Sequence, residues 1–304
     1  MPGIILQRLL TAIPTLLAIL LVSFLLMRFA PGGPFDGERP LDEATRAALE
    51  ASYDLDQPLW QQMTGWFGQV LQGDFGPSLV YRDFTVTELV AQGLPVSLML
   101  GGAAIILALA LGLAMGLRAA LKPGGWVDNA LMLSATLLTA LPTFVTGPLL
   151  ALIFGVWLAL LPVGGSGGVT HWILPVIALA LPVAGVIARL VRAALADIWR
   201  QDNIRTARAR GLSAMQMLTR HALRPALIPV VSYLGPAAAG LLTGAVVIET
   251  VFGLPGLGRY FVQGALNRDY PLIMAVVLIY AVLIIAFNLI ADILYAVLDP
   301  RARA

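Results

Sequence analysis

Polar and apolar positions along this chain fall into long blocks, with no short-period alternation over most of its length. Leu9 to Met27 has no charged side chain, and neither do Val96 to Leu117, Asn129 to Val169, Trp172 to Ala188 and Ala226 to Ile248. Leu272 to Val297 has only Asp292, near its end. A helix rises about 1.5 Å per residue, so a run of roughly 20 apolar residues crosses a hydrocarbon core of ~30 Å. The blocks therefore predict an all-α integral membrane protein with six transmembrane helices. The first run is longer than the roughly 7 to 15 apolar residues of a secretory signal, and Arg28-Phe29-Ala30-Pro31 after it is no small-x-small cleavage site, so it is expected to stay as an anchor.

Between the first two runs lies a polar region, 31–94, with Asp36, Glu38, Asp42, Glu43, Glu50, Asp54, Asp56, Asp74, Asp83 and Glu88 against Arg39, Arg46 and Arg82. It is expected to be a small extracytoplasmic subdomain, with an amphipathic helix from Asp42 to Tyr53 and a turn at Gly73-Asp74-Phe75-Gly76-Pro77. The chain then divides into 1–30, a short terminus with the first helix; 31–94, the outer subdomain; and 95–304, a five-helix core. Basic residues are retained on the cytoplasmic side of short loops. Arg8, Arg118 with Lys122, the block from Arg189 to Arg224, and Arg301 with Arg303 share one side of a six-span arrangement, which predicts both termini inside. The Pro162 to Gly168 break falls outside, flanked by Trp157 and Trp172 as interfacial aromatics.

Composition agrees and narrows the chemistry. Hydrophobic residues make up 59% and charged residues 12%, against about 25% charged in soluble domains. Cysteine is absent and the two histidines, His171 and His221, stand apart, so neither a disulfide framework nor a metal centre is expected. A phosphate-cradling loop needs Gly-Lys-Ser/Thr, whereas the one lysine, Lys122, precedes Pro123-Gly124-Gly125. ATP hydrolysis is not expected of this chain. Gly256-x-Gly258 lacks a preceding strand and reads as a turn rather than a dinucleotide motif.

The cytoplasmic loop 189–224 is basic yet rich in helix formers. Gly211 is placed to end one helix in a left-handed conformation, and Ser213 with Gln216 forms a capping box for a second helix starting at Ala214. Met215, Leu218 and Ala222 follow at helical spacing as one apolar stripe. Positive-inside retention and lipid contact account for the arginines alone. The capped turn adds something they do not explain, a rigid element presented to a protein partner.

At these residues the chain resembles importer-type ABC permeases. Their cytoplasmic loop carries Glu-Ala-Ala, three residues, Gly, nine residues and Ile-x-Leu-Pro, and here Arg205-Thr206-Ala207, Gly211 and His221-Ala222-Leu223 keep the spacing. Arg205 replaces the acidic residue, His221 the isoleucine and Arg224 the proline, so an acidic contact to an ATPase does not carry over. Ala30-Pro31-Gly32-Gly33-Pro34-Phe35 with Glu38-Arg39, Tyr53-Asp54-Leu55-Asp56-Gln57-Pro58-Leu59 and Gly73 to Ser78 resemble the B-type permease subunit of oligopeptide and dipeptide importers. So do Glu249-Thr250-Val251-Phe252-Gly253-Leu254-Pro255-Gly256-Leu257-Gly258 and Asn267-Arg268-Asp269-Tyr270-Pro271.

The resemblance spans nearly the whole chain and implies a permease subunit that passes short peptides inward across a bacterial cytoplasmic membrane. It implies a second homologous permease, two ATPase subunits that hold the ATP and Mg, and an extracytoplasmic peptide-binding protein; no nucleic acid is expected. The implied ATPase-coupling loop comprises Arg205, Thr206, Ala207, Arg208, Gly211, Leu212, Ser213, Met215 and Leu218. Glu249 and Phe252 are candidates for an outer gate by position, and no residue is expected to be catalytic. A secondary transporter or channel would need ion-coupling groups near the bilayer midplane, whereas Glu249 and Asp292 lie near predicted span ends. A membrane enzyme would need a histidine-carboxylate or serine constellation, and none is evident. Dependence of transport on ATP and on partner subunits separates the three.

Overall fold

In the computed structural model the residues described are 2–29, 42–44, 51 and 56–298, with backbone alone for 2–7. The helix expected from Asp42 to Tyr53, the motifs at 30–39 and 53–55, and Arg301 and Arg303 lie wholly or largely outside them. Backbone N–H and C=O groups have no water to bond in hydrocarbon, so apolar runs in a membrane fold as helices. The described helices are α1 (Pro2–Phe29), α2 (Leu59–Leu71), α3 (Val86–Ala120), α4 (Trp126–Ala140), α5 (Thr143–Leu150), α6 (Val169–Ile198), α7 (Asp202–Ala209), α8 (Ala214–Met217), α9 (Leu223–Val251), α10 (Leu257–Asn267) and α11 (Tyr270–Leu298).

Several boundaries differ from the hydropathy reading, each for a local reason. Helix α3 begins at Val86 rather than near Val96, so the expected division at 94/95 falls inside it. Thr85 Oγ1 accepts from the Glu88 N–H at 3.2 Å and Glu88 Oε2 accepts from the Thr85 N–H at 2.8 Å, which fixes the start. Val86, Leu89 and Val90 then pack on Leu257, Leu272 and Val276, anchoring the first turns of the helix in the outer subdomain. At the other end, α6 continues through Arg189 and Arg192 to Ile198 because Val191, Leu195 and Ile198 recur at helical spacing and are buried. Much of the expected 189–224 loop is therefore helix.

The run expected to give the third span is broken. Proline forces its predecessor out of the helical region, and Leu141 before Pro142 is extended at φ −85°, ψ 120°. The two halves bend by 103°, and the second half widens over Ala151–Trp157. The Leu158 N–H there reaches back five residues to the Ile153 carbonyl at 2.9 Å.

Close contacts give the directions of the spans. A methyl group on Gly112 would lie 2.7 Å from Ile187, and one on Gly116 2.7 Å from Val191, so α3 and α6 run parallel. Ala135 meets Gly185 while Asp128 pairs with Arg192, so α4 is antiparallel to α6. Tyr260 and Leu257 of α10 approach Gly93 near the start of α3. Gly235 against Asn288 and Arg224 against the Val297 carbonyl make α9 and α11 antiparallel; Arg8–Asp292 at 2.7 Å, with Phe24 and Met27 lining one cavity with Tyr270 and Met274, does the same for α1 and α11. Among the described residues five helices are long and apolar enough to cross a membrane, and the bent pair gives a sixth if it is one span. Since α3 and α6 are parallel, the bent pair must return the chain from one end of the bundle to the other. Small residues fill the centre, including Ala104, Ala108, Ala178, Ala184 and Ala245, as expected where helices pack by close approach in lipid.

One ion pair fastens the bent segment to α6. Asp128 is 1% exposed and takes Arg192 in bidentate fashion, Nε to Oδ1 at 3.1 Å and Nη2 to Oδ2 at 2.7 Å, while the Gly124 N–H donates to Oδ2 at 2.8 Å. Removing one partner of a buried pair strands the other charge at a cost of about 3–5 kcal/mol, whereas apolar replacement of both is nearly neutral. Arg192→Met alone is expected to lower the Tm of the detergent-purified chain markedly, and Arg192→Met with Asp128→Leu to recover most of it. A double variant no better than the single one would refute this account.

Candidate coupling site

The stretch Gln201 to Ala222 builds a two-helix joint beyond the end of α6. Ile204 and Ala207 on α7 are 0% and 6% exposed and point into the main core, so the helix is seated on the bundle by its inner face. After Ala209 the Gly211 N–H donates to the Arg208 carbonyl at 3.0 Å and the Leu212 N–H to the Ala207 carbonyl at 3.2 Å. This is the Schellman pattern, and it needs a left-handed residue just past the helix, here Gly211 at φ +81°. Ser213 Oγ then accepts from the Gln216 N–H at 3.3 Å and Gln216 Oε1 accepts from the Ser213 N–H at 2.9 Å. Two helices are thus capped back to back across the four residues Arg210 to Ser213, leaving the turn little freedom.

Beyond Met217 the chain passes through one wide turn, Leu218–Ala222, into α9. It lies just before Pro225, which has no N–H for the preceding turn. The apolar stripe expected from Met215, Leu218 and Ala222 divides. Leu218 and Ala222 are buried together with Met217, whereas Met215 is 61% exposed. Met215 is displaced because the buried face turns toward Met217 and Leu218, which belong to the same buried cluster as Ile204 and Leu195. Arg205, Thr206, Arg208, Ser213 and Met215 are exposed; Leu212 is half-buried. Arg205 makes only a loose i, i+3 contact with Asp202 at 3.5 Å. The result is a projecting ridge with arginines and one free methionine outside and an apolar footing beneath.

At the opposite end of the bundle the same chain-ending device recurs. The Gly253 N–H donates to the Thr250 carbonyl at 3.3 Å and the Leu254 N–H to the Glu249 carbonyl at 2.8 Å, with Gly253 at φ +65°. Glu249 and Phe252 are 0% and 1% exposed, so both candidate gate residues are packed inside this chain. Glu249 Oε1 accepts from Ser97 Oγ at 2.7 Å and Oε2 from the Gly258 N–H at 2.7 Å, while Ser97 Oγ accepts from the Leu257 N–H at 2.9 Å. The carboxylate and hydroxyl therefore bind the open N-terminus of α10, where anionic groups are favoured. A side chain at Gly256 or Gly258 would collide with that carboxylate. The Phe252 carbonyl accepts from the Gly165 N–H at 2.7 Å, which ties the loop before α6 to the same corner.

Asp269, just beyond the other end of α10, is also fully buried. It accepts from Ser78 Oγ, from the Leu79 and Val80 N–H groups at 3.2 and 3.3 Å, and from the Leu272 N–H at 3.3 Å. It caps α11 and clasps the outer subdomain at once. Among the described residues no group of three or more potential ligands could hold a metal ion. Ser78, Ser97, Asp128 and Asp269 were not singled out as site residues from the sequence. Ser78 and Asp269 stand there inside quoted motifs, and Ser97 and Asp128 border apolar runs, but neither signal names a partner.

Residues 108–304 match the family described as binding-protein-dependent transport system inner membrane component. The oligopeptide transport system permease protein OppB of Salmonella typhimurium is 47% identical over 301 residues, covering 98% of each chain. OppB of Escherichia coli K12 matches to the same extent. The dipeptide transport system permease protein DppB of Bacillus subtilis is 41% identical over 95% of this chain and 94% of its own. Among solved structures, an inward-facing MetNI methionine ABC transporter superposes with a TM-score of 0.60 at 19% identity, over 69% of this chain and 96% of that one, and so shares its fold. This chain belongs to the binding-protein-dependent inner membrane component family, and it is a membrane-spanning permease component.

No neighbouring atom lies within 4 Å of where a Cβ at Gly211 would stand, so a larger residue there is opposed by backbone strain alone. That strain is about 1–3 kcal/mol for a β-branched residue and less for asparagine. Gly211→Val is expected to speed hydrogen exchange at the Leu212 amide while the span amides stay protected, with Gly211→Asn intermediate. Unchanged exchange at Leu212 in Gly211→Val would show that the turn does not depend on the left-handed glycine.

Proposed function

We propose that this chain is one half of the membrane passage of an ABC importer that carries short peptides into a bacterial cell. The observation that carries the reading is identity near one half over almost the full length of both chains with proteins named as oligopeptide permeases. Its partners in this reading are a second homologous permease, two ATPase subunits that bind ATP and Mg, and an extracytoplasmic peptide-binding protein. The arginine-rich end of the bundle faces the cytoplasm, which puts both termini inside and the 31–94 region outside.

The joint at Arg205 to Leu218 is the surface an ATPase subunit would engage. Its footing on Ile204, Ala207, Met217 and Leu218 is continuous with the core around α6 and α9, so a push on the ridge moves spans rather than a loop. Met215 offers an apolar knob for a groove, with Thr206 and Ser213 beside it and Arg205 and Arg208 supplying long-range attraction. Glu249 and Phe252 serve the outer gate by position: they fix the α9–α10 corner that borders it, without reaching into the passage.

The test uses the assembled complex. Gly211→Val should cut peptide uptake and peptide-stimulated ATP turnover several-fold at unchanged permease abundance in the membrane. Arg208→Ala should do less, because an exposed charge pair is worth about 0–1 kcal/mol. Full stimulation by the Gly211→Val complex would sink the coupling role. Photocrosslinkers at Asp74 should capture the peptide-binding protein from the outside, and labelling only by cytoplasmic proteins would overturn the orientation. The chain purified without partners should turn over no ATP; turnover that co-purifies with it through ATPase depletion would place it in another class.

A further inference from the structure

Helix α2 is amphipathic in the opposite sense to a helix packed on a protein core. At 3.6 residues per turn Leu59, Met63 and Val70 share one side with Trp60, Phe67 and Leu71, Gln61, Gln62, Gly65 and Gln69 share the other, and Trp66 falls at the seam. A surface helix ordinarily turns its apolar side to the core. Here Gln61, Gln62, Gly65 and Gln69, together with Trp66, line a cavity against the rest of the chain, and none of the six apolar-side residues lines it. Gln69 also stands beside the turn at Gly76, its Oε1 3.8 Å from where a Cβ there would lie. None of the 13 residues of α2 is buried, and among the described residues none of them joins either buried cluster. Trp60 and Leu71 are 63% and 87% exposed.

Two further features bear on what meets the apolar side. Phe24, Met27 and Arg28 in the last turns of α1 and Tyr270, Pro271 and Met274 in the first turns of α11 line the same cavity, and both helices cross the membrane. Helix α2 therefore lies where hydrocarbon gives way to headgroups. The chain also carries no Asp, Glu, Lys or Arg from 57 to 73, between Asp56 and Asp74. From this inverted amphipathicity we infer that α2 is an interfacial helix whose partner is the lipid surface, lying along the bilayer with its apolar side down and its glutamines toward the chain. Helices of this kind sink their apolar side about 5–10 Å into the headgroup and acyl boundary, a depth that favours tryptophan. The lipid that meets Trp60 and Leu71 is continuous with the lipid around α1, where Leu26 and Phe29 are 68% and 75% exposed. A protein docking from water would have to displace it. The outer subdomain is then held twice, by lipid under α2 and by Asp269 at Ser78. The inference depends on the chain crossing a membrane and not on what it transports or which side is outside.

The chain has no cysteine, so a single introduced thiol reports from one place. Trp60→Cys and Leu71→Cys on the apolar side, and Gln61→Cys and Gly68→Cys on the other, are labelled with a fluorophore in the full chain, purified with the subunits that accompany it and placed in nanodiscs. A Cβ at Gly68 would meet no atom within 4 Å, so that position accepts the label. Phosphatidylcholine brominated high on its acyl chains should quench the labels at Trp60 and Leu71 at least about twofold more than those at Gln61 and Gly68. Iodide in the water should quench in the reverse order. Added to Trp60→Cys, Leu71→Glu should lift the label out of the lipid, because a carboxylate is expensive there, whereas Gly68→Glu should leave it in place. Leu71→Cys, at the most exposed position, decides alone where Trp60→Cys disturbs assembly. Equal lipid quenching on both sides, or labels on the apolar side reached by iodide and not by bromine, would overturn the proposal. So would labels there shielded from both, since a protein surface would then cover them.

Discussion

Helices α3 and α6 approach so closely that Gly112 and Gly116 cannot carry even a methyl group without displacing Ile187 or Val191. In water such a seam would be driven by apolar burial. In lipid the tails are as apolar as the side chains, so close packing itself must supply the attraction. The rest of the fold hangs on this parallel pair. One partner begins in the outer subdomain at the Thr85–Glu88 box, the other ends three residues before the two-helix joint, and no tight turn can connect parallel helices. The bent pair α4–α5 exists to make that return, and Asp128–Arg192 pins its start to the seam.

Helix ends, rather than helix bodies, distinguish the two faces of the bundle. At the joint, a Schellman turn at Gly211 is followed at once by a capping box at Ser213, so direction changes while end groups on both sides of the turn keep partners. At the opposite corner a second Schellman turn at Gly253 leads into α10, whose N-terminal N–H groups are taken by Glu249 and Ser97. The devices look alike but face different surroundings. The first lies under an exposed ridge with a free Met215; the second is closed over by Phe252 and the loop at Gly165. One end is shaped for contact and the other for rigidity.

What the sequence made legible follows from how local each cause is. The six apolar blocks, the left-handed Gly211 and the Ser213–Gln216 box depend on residues within a turn or two, and all three read correctly. Thr85-x-x-Glu88 was equally local, yet the apolar run beginning at Val96 drew the boundary ten residues too late. The bend at Pro142 was hidden because hydropathy is blind to the extended backbone that proline imposes on Leu141. Partners far apart in sequence were out of reach. Asp269 finds Ser78 across 191 residues and Glu249 finds Ser97 across 152, and nothing near either acid announces this. Met215 and Met217 show the same limit at short range, since a four-residue helix running into a wide turn does not keep an ideal 3.6-residue face.

On the proposed reading, a push at the joint has to reach the other end of the bundle without being taken up in soft elements along the way. The described structure has few places to store it on the direct line. The joint is seated on α6 through Ile204 and Ala207 and flows into α9 through Met217, Leu218 and Ala222, so both helices receive the displacement. At their far end α9 is locked to α3 and α10 by Glu249 and Ser97, and α10 to α11 and the outer subdomain by Asp269 and Ser78. Buried carboxyl groups suit that task, because breaking one of these contacts would leave a polar group unpaired in a poorly solvating interior. The 103° bend lies off this line, with Asp128 held by Arg192 before it and Gly147 packed against Ile248 after it, so the bent segment is tied to α6 on one side and to α9 on the other.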